Sequence, residues 1–156
     1  MNIERLFIFN PFNIKNWTVA EVKKQYEILE QSLTDGDTPS EIANNIEIYA
    51  NMGYLIGEMI SRYYEDVEIE STQLKVNISS EIYRERDYWI TTKKEKTPAM
   101  SYFEAKALSK YLAEHQRLST KEATLKRFKF AYESIDQKQN ALKKKMEAVK
   151  FDTFNN

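Results

Sequence analysis

The chain contains no cysteine. Disulfides, thiolate nucleophiles and Cys-ligated zinc are therefore excluded, and the lack agrees with a reducing cytoplasm. Only 3 glycines and 3 prolines occur among 156 residues, too few turn formers for a β-sandwich or an α/β fold. The three glycines, Gly36, Gly53 and Gly57, are isolated, so no glycine-rich loop is present to cradle a phosphate. The single histidine, His115, has no second histidine or cysteine to share a zinc ion, so no metal site is expected. No apolar run approaches the roughly 18 residues of a membrane span. The N-terminal stretch MNIERLFIFNPF lacks the continuous apolar region and small-residue cleavage site of a secretory signal. An intracellular protein that is not an enzyme and carries no cofactor is the expectation.

What is present is apolar and charged in balance: 42% hydrophobic and 30% charged residues, enough to bury a core. The net charge of −1 hides an asymmetry. Residues 1–72 hold 13 acidic and 5 basic side chains, and residues 73–156 hold 11 acidic and 18 basic. Such a split indicates two surfaces with different partners, subunits that attract one another, or uneven solvation of two faces.

The patterning is helical. Thr18 and Glu21 have the spacing of a capping box, and Val22, Tyr26, Leu29 and Leu33 then line one face until Asp35-Gly36-Asp37. Thr38-Pro39-Ser40-Glu41 is a second start signal. From Ile42 an apolar stripe runs through Ile46, Tyr49, Gly53, Ile56, Ile60, Tyr63 and Val67, and on through Leu74, Ile78, Ile82 and Trp89, and Ile48, Met52, Leu55 and Met59 widen it. One helix of roughly 50 residues, about 75 Å long, is implied. Val67, Ile69, Leu74, Val76 and Ile78 also alternate, which leaves a short β element open at 67–78, and the aromatic arm around Phe7, Phe9 and Phe12 leaves another. Thr97-Pro98 opens a helix to about Arg117 with Phe103, Leu108, Tyr111 and Leu112 on its apolar face. Ser119 and Glu122 mark the start of a last helix. Its heptad is the cleanest in the chain: Leu125, Phe128, Tyr132, Ile135, Gln139, Leu142, Met146 and Val149, with Gln139 the one polar core position.

The fold class is thus mainly α, with long helices forming a helical hairpin or coiled-coil assembly. Four regions are expected: an arm and short helix (1–37), a long helix with a basic and aromatic end (38–97), a helical oligomerisation region (98–150) and a tail (151–156).

Binding signals exceed catalytic ones. Residues 84–96 read RERDYWITTKKEK and gather Arg84, Arg86, Lys93, Lys94 and Lys96 around Tyr88 and Trp89. Cations neutralise phosphates and flat rings stack on unpaired bases, a mixture suited to single strands without sequence readout. The same pattern also describes a charged helix end with two core aromatics. A second basic set, Lys126, Arg127 and Lys129, preceded by Lys121 and followed by Lys138 and Lys143 to Lys145, lies on the polar side of the last helix. It would line a positive belt in an oligomer, keep a coiled coil soluble, or pair with the acidic half of a neighbour.

Residues 41–49, EIANNIEIY, resemble a stretch near the start of UvsY-like phage recombination mediators, and residues 83–89, YRERDYW, resemble that family's basic segment leading into Asp-Tyr-aromatic. The resemblance implies a homo-oligomeric ring that binds single-stranded DNA, displaces the single-strand-binding protein and helps load a RecA-like recombinase in the host cytoplasm. It places DNA contacts at Arg84 and Arg86, beside Tyr88 and Trp89, and oligomerisation on Leu125 to Val149. In Tyr83-Arg84-Glu85-Arg86 the basic positions depart from the family's pair, and the arm before residue 38 is additional. Two other readings fit the same residues: a helical phage adaptor or inhibitor of a host nucleic-acid enzyme, acting through its acidic half, and a structural coiled-coil protein.

Overall fold

A computed structural model describes residues 11–93 and 95–154. A 3₁₀ helix, Pro11–Asn16, leads into α1 (Val19–Gln31), α2 (Pro39–Tyr88), a π-helical turn (Trp89–Lys93), α3 (Met100–Lys110) and α4 (Leu112–Phe154). The protein is mainly α, and no strand occurs among the described residues. The aromatic arm before Pro11, the other candidate for a β element, lies outside them.

Local sequence starts the helices as its spacing implies. At α1, Glu21 N–H donates to Thr18 Oγ1 at 3.2 Å, and Thr18 N–H donates back to Glu21 Oε2 at 2.6 Å. At α2 the same reciprocal pair joins Thr38 and Glu41, with distances of 3.0 and 3.3 Å. Both boxes satisfy amide groups that the first turn leaves without partners. Hydrogen bonding to threonine is the main reason that both Glu21 and Glu41 titrate below the ordinary carboxylate range.

The 50-residue α2 has the expected length and runs straight through 67–78, where a strand was the alternative. A strand would send Val67 and Ile69 to one face; here Val67 is 8% exposed and Ile69 61%. Leu74 is buried seven residues after Val67, so the residues that alternate also obey a helical period.

Two compact units share α2 and α4. The first comprises the chain up to Ser61 and from Lys126 onward. There α1 buries Val22 and Leu29, and α2 buries Ile42, Ile48, Met52, Leu55 and Met59. Ile48, Met52, Leu55 and Met59, which widen the apolar stripe, are all buried, and so are Ile42 and Ile56 of the stripe itself. Gln139 of α4 donates to the Ile46 carbonyl at 3.1 Å, and Ile135 and Tyr132 lie beside Gly53, so α4 runs antiparallel to α2.

The loop between α1 and α2 is pinned from within. Asn45, only 4% exposed, accepts from Thr34 N–H at 3.0 Å and donates to the Thr34 carbonyl at 2.8 Å. Gly36 adopts φ +72°, and its carbonyl accepts from Lys145 at 2.7 Å.

The second unit is Arg62–Leu125. Here α3 buries Phe103 and Ala107, while Leu108 and Leu112 are exposed, contrary to the expected face. The buried side of α3 also carries Lys106 and Lys110, which pair with carboxylates of α2, and a pattern of apolar residues alone misses such a face. The break expected at Ser119 falls instead at Tyr111. Helix α4 continues through Ser119 because Leu118 and Leu125 are both buried and Lys121 is held by α2; Thr120 Oγ1 turns back to the Gln116 carbonyl at 3.0 Å.

Candidate nucleic-acid interface

Part of the charge is paired inside the second unit. Four carboxylates of α2, Asp66, Glu70, Glu81 and Glu85, meet four cations of α3 and α4. Lys121 pairs with Asp66 and Glu70, Arg117 with Glu70, Lys110 with Glu81, and Lys106 with Glu85. The step of four from Glu81 to Glu85 matches a step of four down α3, from Lys110 to Lys106, and the step from Asp66 to Glu70 matches one down α4, from Lys121 to Arg117, so both sets of rungs record an antiparallel register. Glu81 is 7% exposed and holds Lys110 at 2.7 Å and Arg84 at 2.6 Å. The Lys110 hydrogen bond keeps the Glu81 carboxyl below its ordinary range, and that of Lys121 does the same for Glu70. In turn Glu85 raises Lys106 and Glu70 raises Lys121.

This ladder sorts the cations nominated from the sequence. Arg84 lies on the rung side and is tied to Glu81. Arg86 is exposed and makes no ion pair among the described residues. At about 100° per residue the two arginines point some 200° apart around α2, so they do not converge on one site. Trp89 packs edge-on to Tyr102 of α3, with centroids 6.3 Å apart, and Lys93 Nζ stands 4.2 Å from the Trp89 ring. Tyr88 remains 48% exposed. Lys96 is exposed just past the turn, and the Lys94 side chain lies outside the described residues. At the end of α2 Lys93 thus stands against Trp89, with Arg86 one turn before Trp89 on the neighbouring side of the helix and Tyr88 exposed next to Trp89 in sequence.

The second basic set divides as well. Lys126 Nζ stands 5.7 Å from the centre of the Phe130 ring, a ring 58% exposed that the heptad pattern does not single out; the i, i+4 spacing is its sequence signal. Arg127 lines a mostly apolar cleft of about 420 Å³ together with Val22, Tyr26, Met59 and Phe128. Lys129 is exposed on α4. Lys138 leans over Tyr49 at 5.9 Å, and Lys143 and Lys144 face solvent.

The heptad of α4 is partly closed within its own chain. Leu125 and Ile135 are buried; Phe128, Gln139, Leu142, Met146 and Val149 are half-buried; Tyr132 is exposed. Gln139, the polar position, is satisfied by the Ile46 carbonyl of the same chain. His115 is exposed, and no cluster of three or more His, Asp or Glu side chains fit to hold a metal occurs among the described residues. No helix among them is long and apolar enough to cross a membrane.

No protein-family model matches the chain, and no curated protein or solved structure is significantly similar to it.

Proposed function

We propose that this protein is a non-catalytic, self-assembling binder of single-stranded DNA that acts as a recombination mediator. The observation that supports it best is the end of α2. Lys93 stands against Trp89, Tyr88 is half exposed, and Arg86 and Lys96 are exposed with no carboxylate partner among the described residues. Ordered rings beside unneutralised cations bind a strand by stacking and phosphate contact, and neither term reads sequence. Lys126 over exposed Phe130 offers the same pairing on α4. The resemblance of Glu41–Tyr49 and Tyr83–Trp89 to UvsY-like mediators supplies the biological step: competition with the single-strand-binding protein and delivery of the strand to a RecA-like recombinase. Arg84 contributes less than that resemblance implies, because Glu81 already holds it.

The test is fluorescence anisotropy with a labelled oligothymidine across a salt series. Binding is expected to weaken linearly with log salt concentration, by about 0.7 log units per phosphate contact for each log unit of salt. An oligonucleotide that stays unbound at low salt and micromolar protein eliminates the reading.

A further inference from the structure

A second heptad runs along α2 and into the π-helical turn after it, on the side away from the buried one. Ile69, Val76, Tyr83 and Ile90 are each seven residues apart and are 61%, 53%, 70% and 54% exposed. The buried row Val67, Leu74 and Glu81 begins two residues earlier, about 200° around the helix. It faces α3 and α4; nothing among the described residues covers the outer row. A strict seven-residue apolar repeat keeps one seam toward a partner helix over several turns. Thr72, Ser79 and Ser80 lie between and beside the apolar rungs, small enough for a second backbone to approach.

We infer that this seam docks a second copy of the chain, with the two α2 helices antiparallel. Charge selects both the occupant and the direction. Glu65 and Glu68 sit exposed at one end of the row, Arg86 and Lys93 at the other, and none of the four has an ion-pair partner among the described residues. A parallel pair stacks Glu65 and Glu68 on their own copies. An antiparallel pair lays the acidic end of each copy over the basic end of the other, and a two-fold axis between Val76 and Tyr83 sets Ile69 opposite Ile90 and Val76 opposite Tyr83. Every apolar rung is then matched in a single register. This surface differs from the Leu125–Val149 face of α4, and the inference requires no nucleic acid.

Single cysteines report the geometry cleanly because the chain has none of its own. Ile69→Cys protein mixed with Ile90→Cys protein is expected to form a cross-linked dimer with a short bismaleimide. Ile69→Cys alone is not, since its two copies lie about 31 Å apart along the seam at 1.5 Å per residue. Val76→Glu, at an exposed position where folding is preserved, is expected to weaken self-association in sedimentation at least tenfold. Equal cross-linking by Ile69→Cys alone overturns the antiparallel arrangement. A monomer at every concentration, or a Val76→Glu protein that associates as the wild type does, overturns the seam and leaves the row to a different protein. Val76 and Ile69 belong to the seam alone, whereas Arg86 and Lys93 also enter the strand-binding proposal. Oligothymidine binding by Val76→Glu therefore tests that proposal separately.

Discussion

Glu81 holds two cations from two directions: Arg84 lies 2.6 Å from its Oε1, one turn away on the same helix, and Lys110 of α3 lies 2.7 Å from its Oε2. A carboxylate 7% exposed between two partners is a packing element of the second unit as much as a charge. Removing it is expected to matter more than removing either cation, because both cations keep access to water while the buried position does not. Glu81→Gln is expected to lower the melting temperature by about 2–4 °C, with Arg84→Ala nearly neutral; thermal melts of the two variants check the order.

The pH dependence follows from the sign of the shifts. Glu81 and Glu70 titrate lower in the folded chain than unfolded, each because a lysine donates to it. Their contribution to stability is complete above the unfolded value of about 4.3 and is lost as pH falls toward the lower folded values. Melting temperature is expected to be flat from pH 7 to about pH 5 and to drop below it, and Glu81→Gln should blunt the drop. An equal drop in wild type and variant would assign acid lability to other groups.

Asn45 is expected to be the polar residue least tolerant of change in the first unit. It is buried and meets both the N–H and the carbonyl of Thr34. Asn45→Ala leaves those groups without protein partners and is expected to cost about 2 kcal/mol in urea unfolding. Asn45→Asp keeps the acceptor and loses the donor, so it should fall between wild type and alanine.

Two glycines should respond oppositely to alanine. At Gly36, φ +72° and an Asn45 side chain 3.3 Å from the new Cβ make Gly36→Ala destabilising by about 1–2 kcal/mol. At Gly53 a Cβ would meet Ile135 and Tyr132 at 3.8 Å, ordinary contact inside a helix. Gly53→Ala is therefore expected to stabilise by about 0.5–1 kcal/mol. Chemical denaturation of both variants checks the signs.

For strand binding, Arg86→Ala combined with Lys93→Ala is expected to weaken affinity for oligothymidine and for mixed sequences alike. It should also reduce the salt slope by about 1.4, the share of two phosphate contacts. Loss for one sequence only would point to base readout and overturn the phosphate-contact reading of this pair.

Much of the helical framework was legible in the sequence because its signals are local. Capping boxes at Thr18 and Thr38, the absence of proline through α2 and a sustained apolar period each act within a few residues. The signals that misled were also local. Ser119 has capping spacing, yet the helix passes through it, because Leu118, Lys121 and Leu125 are held by another helix. Likewise Leu108 and Leu112 look like a core face until Lys106 and Lys110 find carboxylates on α2. In the candidate site, RERDYWITTKKEK reads as one cluster along the chain, but helical rotation parts Arg84 from Arg86, and Glu81 neutralises the first.

By itself, then, the sequence determined that this chain is built of helices, where two of them begin, and that one extends for 50 residues, since hydrogen bonding within a helix and its caps is local chemistry. Tertiary structure alone decided which cations remain unneutralised and which apolar rows remain uncovered. Both depend on what lies across a helix pair, and the partners there, Glu81 with Lys110 and Glu70 with Lys121, are separated by 29 and 51 residues of chain.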